Sequence, residues 1–366
     1  MTKPIFYKRK PRWGLRILIL LLLPVIGFVL YPSPIDPVAW SPPKDDGYVG
    51  AYAPNDLLLK AERIALKLGK GPEDISVAPD GTVYTGYDNG TFYKISPDGV
   101  ETRLRETGGR AIGHDLDADG NLIIADSTAG LVKINTQTNT LEVLATASDG
   151  VLFGFADDVD VAPDGRIYFS DASFAHGPEE LKYDVLEAKP NGRLLRYDPV
   201  TGMTETLLDG LYFANGIAVS GDGSFVLVNE TTRYRMQRYW ISGPKAGTSE
   251  IILENLPGFP DGVSYDGQGG FWLALYSPRS AELDKMHPSP FIKKLVAKLP
   301  EGLSPEAAGA GTIVHLNADL VIDGVYHDLT GKHARFTTSV EQIGDVIYIG
   351  NLSEPYFHRI NVNELR

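Results

Sequence analysis

Four oxygen-bearing residues recur at one position of a repeat: Glu73, Asp157, Asn215 and Asp261. Each lies eight residues before a glycine (Gly81, Gly165, Gly223, Gly269), in the segments EDISVAPDG, DDVDVAPDG, NGIAVSGDG and DGVSYDGQG. Equivalent positions in a repeat protein occupy equivalent places in space. In repeats closed into a ring, the four side chains converge on the axis. Three carboxylates and one amide around a point suit a hard cation, calcium before zinc or copper. Such an ion, with open coordination, polarises a carbonyl or phosphoryl oxygen. A ring carboxylate then serves as general base toward water or as nucleophile, so ester, lactone or phosphoester hydrolysis follows. Asp261 is the candidate for that role, with Gly262 leaving space beside it. Glu73 and Asp157 neutralise the ion, and Asn215 ligates it and orients substrate. The competing reading is that Asp and Asn before a strand are ordinary turn residues, although Glu73 is a poor one.

Asp74 and Asp158 follow the first and second ring acids directly. Alternation along a strand points them away from the first ion, where they form a candidate second, structural calcium site near His114. The second repeat has Ile112 at the ring position, counted from Gly120. His114, two residues on, is expected on the same strand face as Ile112, either as a proton shuttle or as a hydrogen-bonded core histidine. The chain has no G-x-S-x-G, H-E-x-x-H or G-x-x-x-x-G-K-[ST] motif, which disfavours a serine hydrolase, a zinc protease and a P-loop enzyme.

The elements that must position these residues are short alternating strands separated by Asp-Gly and Asn-Gly turns, as in GTVYTGYDNGTFYKI and GNLIIADSTAGLVKI. Four strands per ~40–50 residues is propeller spacing. Units beginning near 73, 112, 157, 215, 261 and 338 predict an all-β, six-bladed propeller over 61–366. The fifth unit carries an insertion at about 273–310. Within it, Phe291, Ile292, Leu295, Val296 and Leu299 fall at helical spacing, with Lys293, Lys294 and Lys298 opposite. This predicts a helix packed on the propeller face, or one that touches anionic lipid or lids the channel.

The 366 residues carry a net charge of −13, unevenly divided. Six basic residues (Lys3, Lys8, Arg9, Lys10, Arg12, Arg16) precede the first acid, Asp36, leaving 28 basic against 47 acidic residues in the remainder. So acidic a body repels phosphate backbones and argues against nucleic-acid binding. The absence of cysteine excludes disulfides and thiolate chemistry. Residues 17–31 (ILILLLLPVIGFVLY) form an apolar run behind the basic segment 1–16. This reads as a transmembrane anchor with a cytoplasmic N-terminus and the propeller on the periplasmic, lumenal or extracellular side. A cleaved signal peptide is the alternative. Residues 32–60 read as a Pro-rich spacer and lead-in.

The segments DDVDVAPDGRIYFSDAS, GRLLRYDPVTG, FANGIAVSGDGSFVLVNETT and ENLPGFPDGV resemble the calcium-dependent propeller superfamily of gluconolactonase, paraoxonase and strictosidine synthase-like proteins. The resemblance is to the branch of adipocyte plasma membrane-associated proteins, which also has an N-terminal anchor. It runs from about Gly71 to the C-terminus. It implies arylesterase- or lactonase-like activity on a small molecule, with a central ion held by Glu73, Asn215 and Asp261, and Asp157 where the superfamily has an Asn. It also implies a second ion at Asp74 and Asp158. Glu341, in SVEQIGDVIYIG, falls near the catalytic Glu of the plant synthases. That leaves two alternatives: a synthase-like enzyme, or a non-catalytic binding propeller stabilised by calcium.

Overall fold

The computed structural model describes residues 13–300 and 307–365. Six four-stranded antiparallel sheets form the blades of a propeller. The innermost strands begin at Ser76, Ala111, Ala156, Ala214, Gly258 and Thr337, close to the expected unit starts. The sixth blade takes its outer strand, Glu62–Ala65, from the N-terminal side of the domain, pairing Glu62 with Arg359. This strand closes the ring by joining the N-terminal side of the domain to its last blade.

Second strands such as Leu122–Asp126 and Phe225–Glu230 are sandwiched between neighbouring blades. They therefore read as apolar runs rather than as alternating strands. Leu122, Ile123 and Ile124 are at most 1% exposed, each contributing about 1.5–3 kcal/mol by burial. Outer strands such as Thr140–Ala145 are partly solvated along their length. The repeat glycines close the turn after each inner strand: Gly165 has φ +85° and donates to the Ala162 carbonyl at 2.8 Å.

Among the described residues, four α-helices stand outside the blades: α1 (Trp13–Leu30), α2 (Leu181–Glu187), α3 (Ala281–Met286) and α4 (Pro290–Ala297). The insertion starts later than expected, because Phe271–Pro278 is the fifth blade's second strand. Helix α2, in the third blade, was not expected. Both excursions leave their blades at the end where Asp157 and Asp261 lie, since Asp171 pairs with Ala156 and Pro278 with Gly258.

The Pro-rich segment is not a free spacer. It is a strap running between α2, α3 and α4. Asp36 N–H donates to Glu187 Oε1 (2.6 Å), Trp40 N–H to the His287 carbonyl (3.1 Å), and Arg279 Nη2 to the Pro43 carbonyl (2.8 Å). The strap inverts part of the expected face of α4. Lys293 is 0% exposed and donates to the Val38 carbonyl at 2.6 Å, whereas Phe291 is 59% exposed. The strap's Val38 carbonyl gives the buried ammonium an acceptor there.

The expected anchor is helical in α1, with Pro24 inside it and exposed apolar side chains from Leu21 to Leu30. Its 18 residues rise about 27 Å, less than the ~30 Å of a hydrocarbon core. Among the described residues, no helix is long and apolar enough to cross a membrane. Lys3, Lys8, Arg9, Lys10 and Arg12 lie outside the described residues.

Candidate functional site

A cavity of about 290 Å³ runs along the propeller axis, lined by the inner strands of all six blades. Eight carboxyl groups face it: Glu73, Asp74, Asp115, Asp157, Asp158, Asp160, Asp261 and Glu341. No Lys or Arg is among its lining residues. All four expected ring residues are therefore brought to one cavity, together with Asp74, Asp158, His114 and Glu341.

The device that brings them there is a β-bulge repeated in five of the six inner strands. The register shifts between Ala111 and His114, Ala156 and Val159, Ala214 and Ile217, Pro260 and Val263, and Thr337 and Val340. At each bulge two residues oppose one on the partner strand, and the side chains are re-aimed. Strict alternation fails at that point. Asp157 and Asp158 both face the cavity, so the expectation that Asp74 and Asp158 point away from the ring acids is corrected. The bulge also identifies the sixth ring position, Thr338, which has no repeat glycine to count from.

The second residue of the bulge is often glycine because the next blade lies against it. A Cβ on Gly216 would sit 2.2 Å from the Asp261 carbonyl oxygen, and one on Gly262 would sit 2.5 Å from that of Thr338. Gly262 therefore serves blade packing rather than opening room beside Asp261.

The deeper acids have a shared structural task. Inner-strand edges facing the axis carry N–H groups that no neighbouring strand takes up. Asp74 Oδ2 accepts from His114 N–H (2.8 Å) and Asp115 Oδ2 from Val161 N–H (2.9 Å). Asp158 Oδ2 accepts from Ile217 N–H (2.8 Å) and Asp160 Oδ2 from Val219 N–H (2.6 Å). Each bond links one blade to the next. Asp74 and Asp158 thus already have occupied lone pairs, although each retains others.

Among the described residues, Glu73, Asp157 and Asp261 receive no such backbone bond. Burial holds the Asp157 carboxyl well above the usual range, reinforced by Asp261, Glu73 and Asp158. Burial and then Glu73 do the same for Asp261, opposed by a hydrogen bond from Asn215. Glu73 is also raised by burial, opposed by Arg110, whose Nη2 lies 2.6 Å from Glu73 Oε2. These acids repel one another and receive no backbone N–H, Asp261 having only the Asn215 amide and Glu73 only Arg110, which is the condition of a donor set that fits a cation. Among the described residues, however, no three His, Asp or Glu groups are drawn into a tight coordination shell.

His114 is buried, with Nδ1 2.6 Å from Ser76 Oγ and Nε2 3.1 Å from the Asp74 carbonyl. A carbonyl only accepts, so Nε2 carries the hydrogen and Nδ1 accepts from the serine. Burial lowers its pKa. This geometry matches the hydrogen-bonded core histidine. Glu341 lies deeper than the ring, its carboxyl raised well above the ordinary range by burial and by Asp115, Asp74, Asp160 and Asp158.

Sequence reasoning missed an aromatic wall at the ring end. Phe155 and Phe213 pack edge to face at 5.5 Å beside Ile112, and Tyr276 stacks on Phe336 at 5.2 Å. The signal was present: Phe155, Phe213, Phe259 and Phe336 each stand two residues before a ring position.

Comparison with known proteins assigns the family. Family models for strictosidine synthase and for the strictosidine synthase-like N-terminal region match residues 157–244 and 50–95. Strictosidine synthase-like protein 6 of Arabidopsis thaliana is 34% identical over 312 residues, covering 83% of this chain and 82% of the relative. The chain belongs to the strictosidine synthase-like family. The mouse (Mus musculus) adipocyte plasma membrane-associated protein is 30% identical over 368 residues, covering 94% of this chain and 88% of its own length. Among solved structures, a Xanthomonas campestris gluconolactonase superposes with a TM-score of 0.60 at 14% identity (90% of this chain, 96% of that one). The calcium-binding protein regucalcin of Agrobacterium tumefaciens superposes with a TM-score of 0.58 at 15% identity (81% and 92%). These two likenesses show the fold.

Proposed function

We propose that this strictosidine synthase-like propeller is a calcium-dependent hydrolase of small esters or lactones, acting at the ring end of its axial cavity. The observation that carries the reading is the cavity itself: eight carboxyl groups and, among the described lining residues, no Lys or Arg, with Glu73, Asp157, Asn215 and Asp261 delivered from four blades. Lactonase and calcium-binding names among the structural neighbours support it.

Glu73, Asp157, Asn215 and Asp261 would hold the ion. When bound, calcium supplies Lewis acidity toward a carbonyl oxygen. The rest is done by the chain. Asp261 Oδ takes the proton from attacking water, while the amide of Asn215 holds Asp261 by a hydrogen bond and orients substrate. Phe155, Phe213 and Phe336 exclude water and favour substrates with apolar acyl or aryl groups. His114, with both ring nitrogens engaged, acts by fixing Asp74 and Ser76 rather than by shuttling protons. A second ion at Asp74 and Asp158 would use the lone pairs left by their backbone bonds.

A second reading rests on Glu341, whose buried acid reaches the same cavity and is raised well above the ordinary carboxylate range by burial and by Asp115. In that reading the enzyme is synthase-like and works without metal. We further propose that α1 attaches the chain to a membrane, with the N-terminus cytoplasmic. The exposed apolar side chains of α1 and the name of the membrane-associated relative support this.

Turnover of aryl esters and lactones with and without chelator separates the readings. Activity lost with chelator and in Asp261→Asn supports hydrolysis. Chelator-insensitive activity lost in Glu341→Gln supports the synthase-like reading. A chelator effect on melting alone leaves a calcium-stabilised binding propeller.

A further inference from the structure

The second blade departs from the pattern above the ring. Two residues before the ring position the third to sixth blades carry Phe155, Phe213, Phe259 and Phe336, and the second carries Arg110. Its guanidinium turns to Glu73, with Nη2 2.6 Å from Oε2, and also bonds the Leu352 carbonyl at 3.2 Å. The contact is a close ion pair whose positive charge and hydrogen bond both lower the Glu73 carboxyl against its burial. Arg110 Nε is buried without a hydrogen-bond partner among the described residues. The same positive charge acts on Asp157 and Asp261.

Three ring carboxylates and one guanidinium sum to a charge of −2, which one divalent cation balances. Without Arg110 the ring would hold three negative charges against the same ion. A guanidinium beside a ligand repels an incoming cation; the Arg110 side chain is 31% exposed, so the repulsion is partly screened but not abolished.

We propose that Arg110 is a built-in counter-charge of the ring, which lowers the ring's affinity for a divalent cation and keeps a bound ion exchangeable. This rests on the cation-binding reading above and adds the element that tunes it. The ring is matched to a divalent ion by four charged side chains, one of them positive.

The test is calcium titration of the full-length chain in detergent, by calorimetry and by displacement of luminescent terbium, so that no turnover is needed. Arg110→Met should bind calcium at least tenfold more tightly than wild type. Arg110→Lys, which keeps the charge, should stay within about threefold of wild type. Adding Asp157→Asn to Arg110→Met should reverse the gain. Melting curves check that each variant folds, and Arg110→Gln replaces Arg110→Met if the latter does not. Equal or weaker binding by folded Arg110→Met or Arg110→Gln, with wild type binding normally, overturns the counter-charge and leaves the calcium reading intact. No uptake by wild type or variant overturns both.

Discussion

Replacing Gly216 by Ala probes the link between blade packing and the site. Gly216 is the second residue of the fourth blade's bulge. Its new Cβ would lie 2.2 Å from the Asp261 carbonyl oxygen and 2.6 Å from both Gly262 Cα and Val263 N. All three are backbone atoms of the fifth blade's inner strand, so no side chain can swing aside. Ordinary contact needs that strand to retreat by about 1 Å, and overpacking of this kind costs about 1–3 kcal/mol. With three backbone contacts the upper figure applies. At ~2–4 °C per kcal/mol for large domains, the chelated protein should melt roughly 6–12 °C below wild type. The same retreat moves Asp261, and calcium–oxygen distances span only about 2.3–2.6 Å. Calcium affinity should therefore fall at least tenfold. The assay is thermal unfolding in chelator and across a calcium series. Gly223→Ala is the control: its φ is +67° with nothing within 4 Å of the added carbon. It should cost about 1 kcal/mol of backbone strain and leave the calcium response unchanged. If Gly216→Ala melts within 2 °C of wild type and keeps the full calcium shift, the account of how the blades set the ring is wrong.

Three other outcomes are expected. Asp157→Asn and Asp261→Asn should abolish the calcium-induced rise in melting temperature. In chelator they should melt higher than wild type, by about 1–3 kcal/mol, because a like-charged pair ~5 Å apart costs about 3 kcal/mol at an effective dielectric of 20; lower stability in chelator would contradict the repulsion. Carboxyls raised by folding, at Asp157, Asp261 and Glu341, bind more protons in the native than in the unfolded state above ~pH 4. Their contribution is therefore lost as pH rises. The chelated protein should melt higher at pH 5 than at pH 7.5 and calcium should flatten the difference, whereas a maximum at pH 7.5 in chelator would refute this. Lys293, lowered by burial to about 8 from 10.5, binds fewer protons folded than unfolded between those values. Stability should rise with pH from 8 toward 10, and Lys293→Met should remove that rise and gain about 0.5–2 kcal/mol at pH 7, the burial penalty less one hydrogen bond to a charged group. A less stable Lys293→Met by denaturant titration would show the ammonium to be fully compensated.

The propeller was legible because its turns and strands obey local rules. Gly165 closes its turn at φ +85°, and the LIIAD and FVLVNE strands are apolar on both faces because blades flank them. The convergence of Glu73, Asp157, Asn215 and Asp261 followed from repeat equivalence alone. What alternation along a strand hid was the bulge, which puts Asp157 and Asp158 on one side. Acids that looked like free ligands, Asp74 and Asp158, also serve as acceptors for His114 and Ile217 amides on the adjoining blades. Those partners are about 40 and 60 residues away, and nothing local marks them. The strap was invisible for the same reason. Pro-rich sequence reads as spacer, yet the partners that hold it (Glu187, Arg279, His287, Lys293) come from distant insertions. The burial of Lys293 depends on that strap, so helical periodicity alone put it on the solvent side. Arg110 was overlooked because a lone basic residue before a strand has no motif around it.

The most direct measurement is anomalous diffraction from a calcium-loaded crystal, with the metal located independently of any activity. The account predicts a calcium peak on the propeller axis at the ring end, within bonding distance of oxygens from Glu73, Asp157, Asn215 and Asp261. A cavity free of anomalous signal at saturating calcium, or a peak lying only between Asp74 and Asp158, would contradict it.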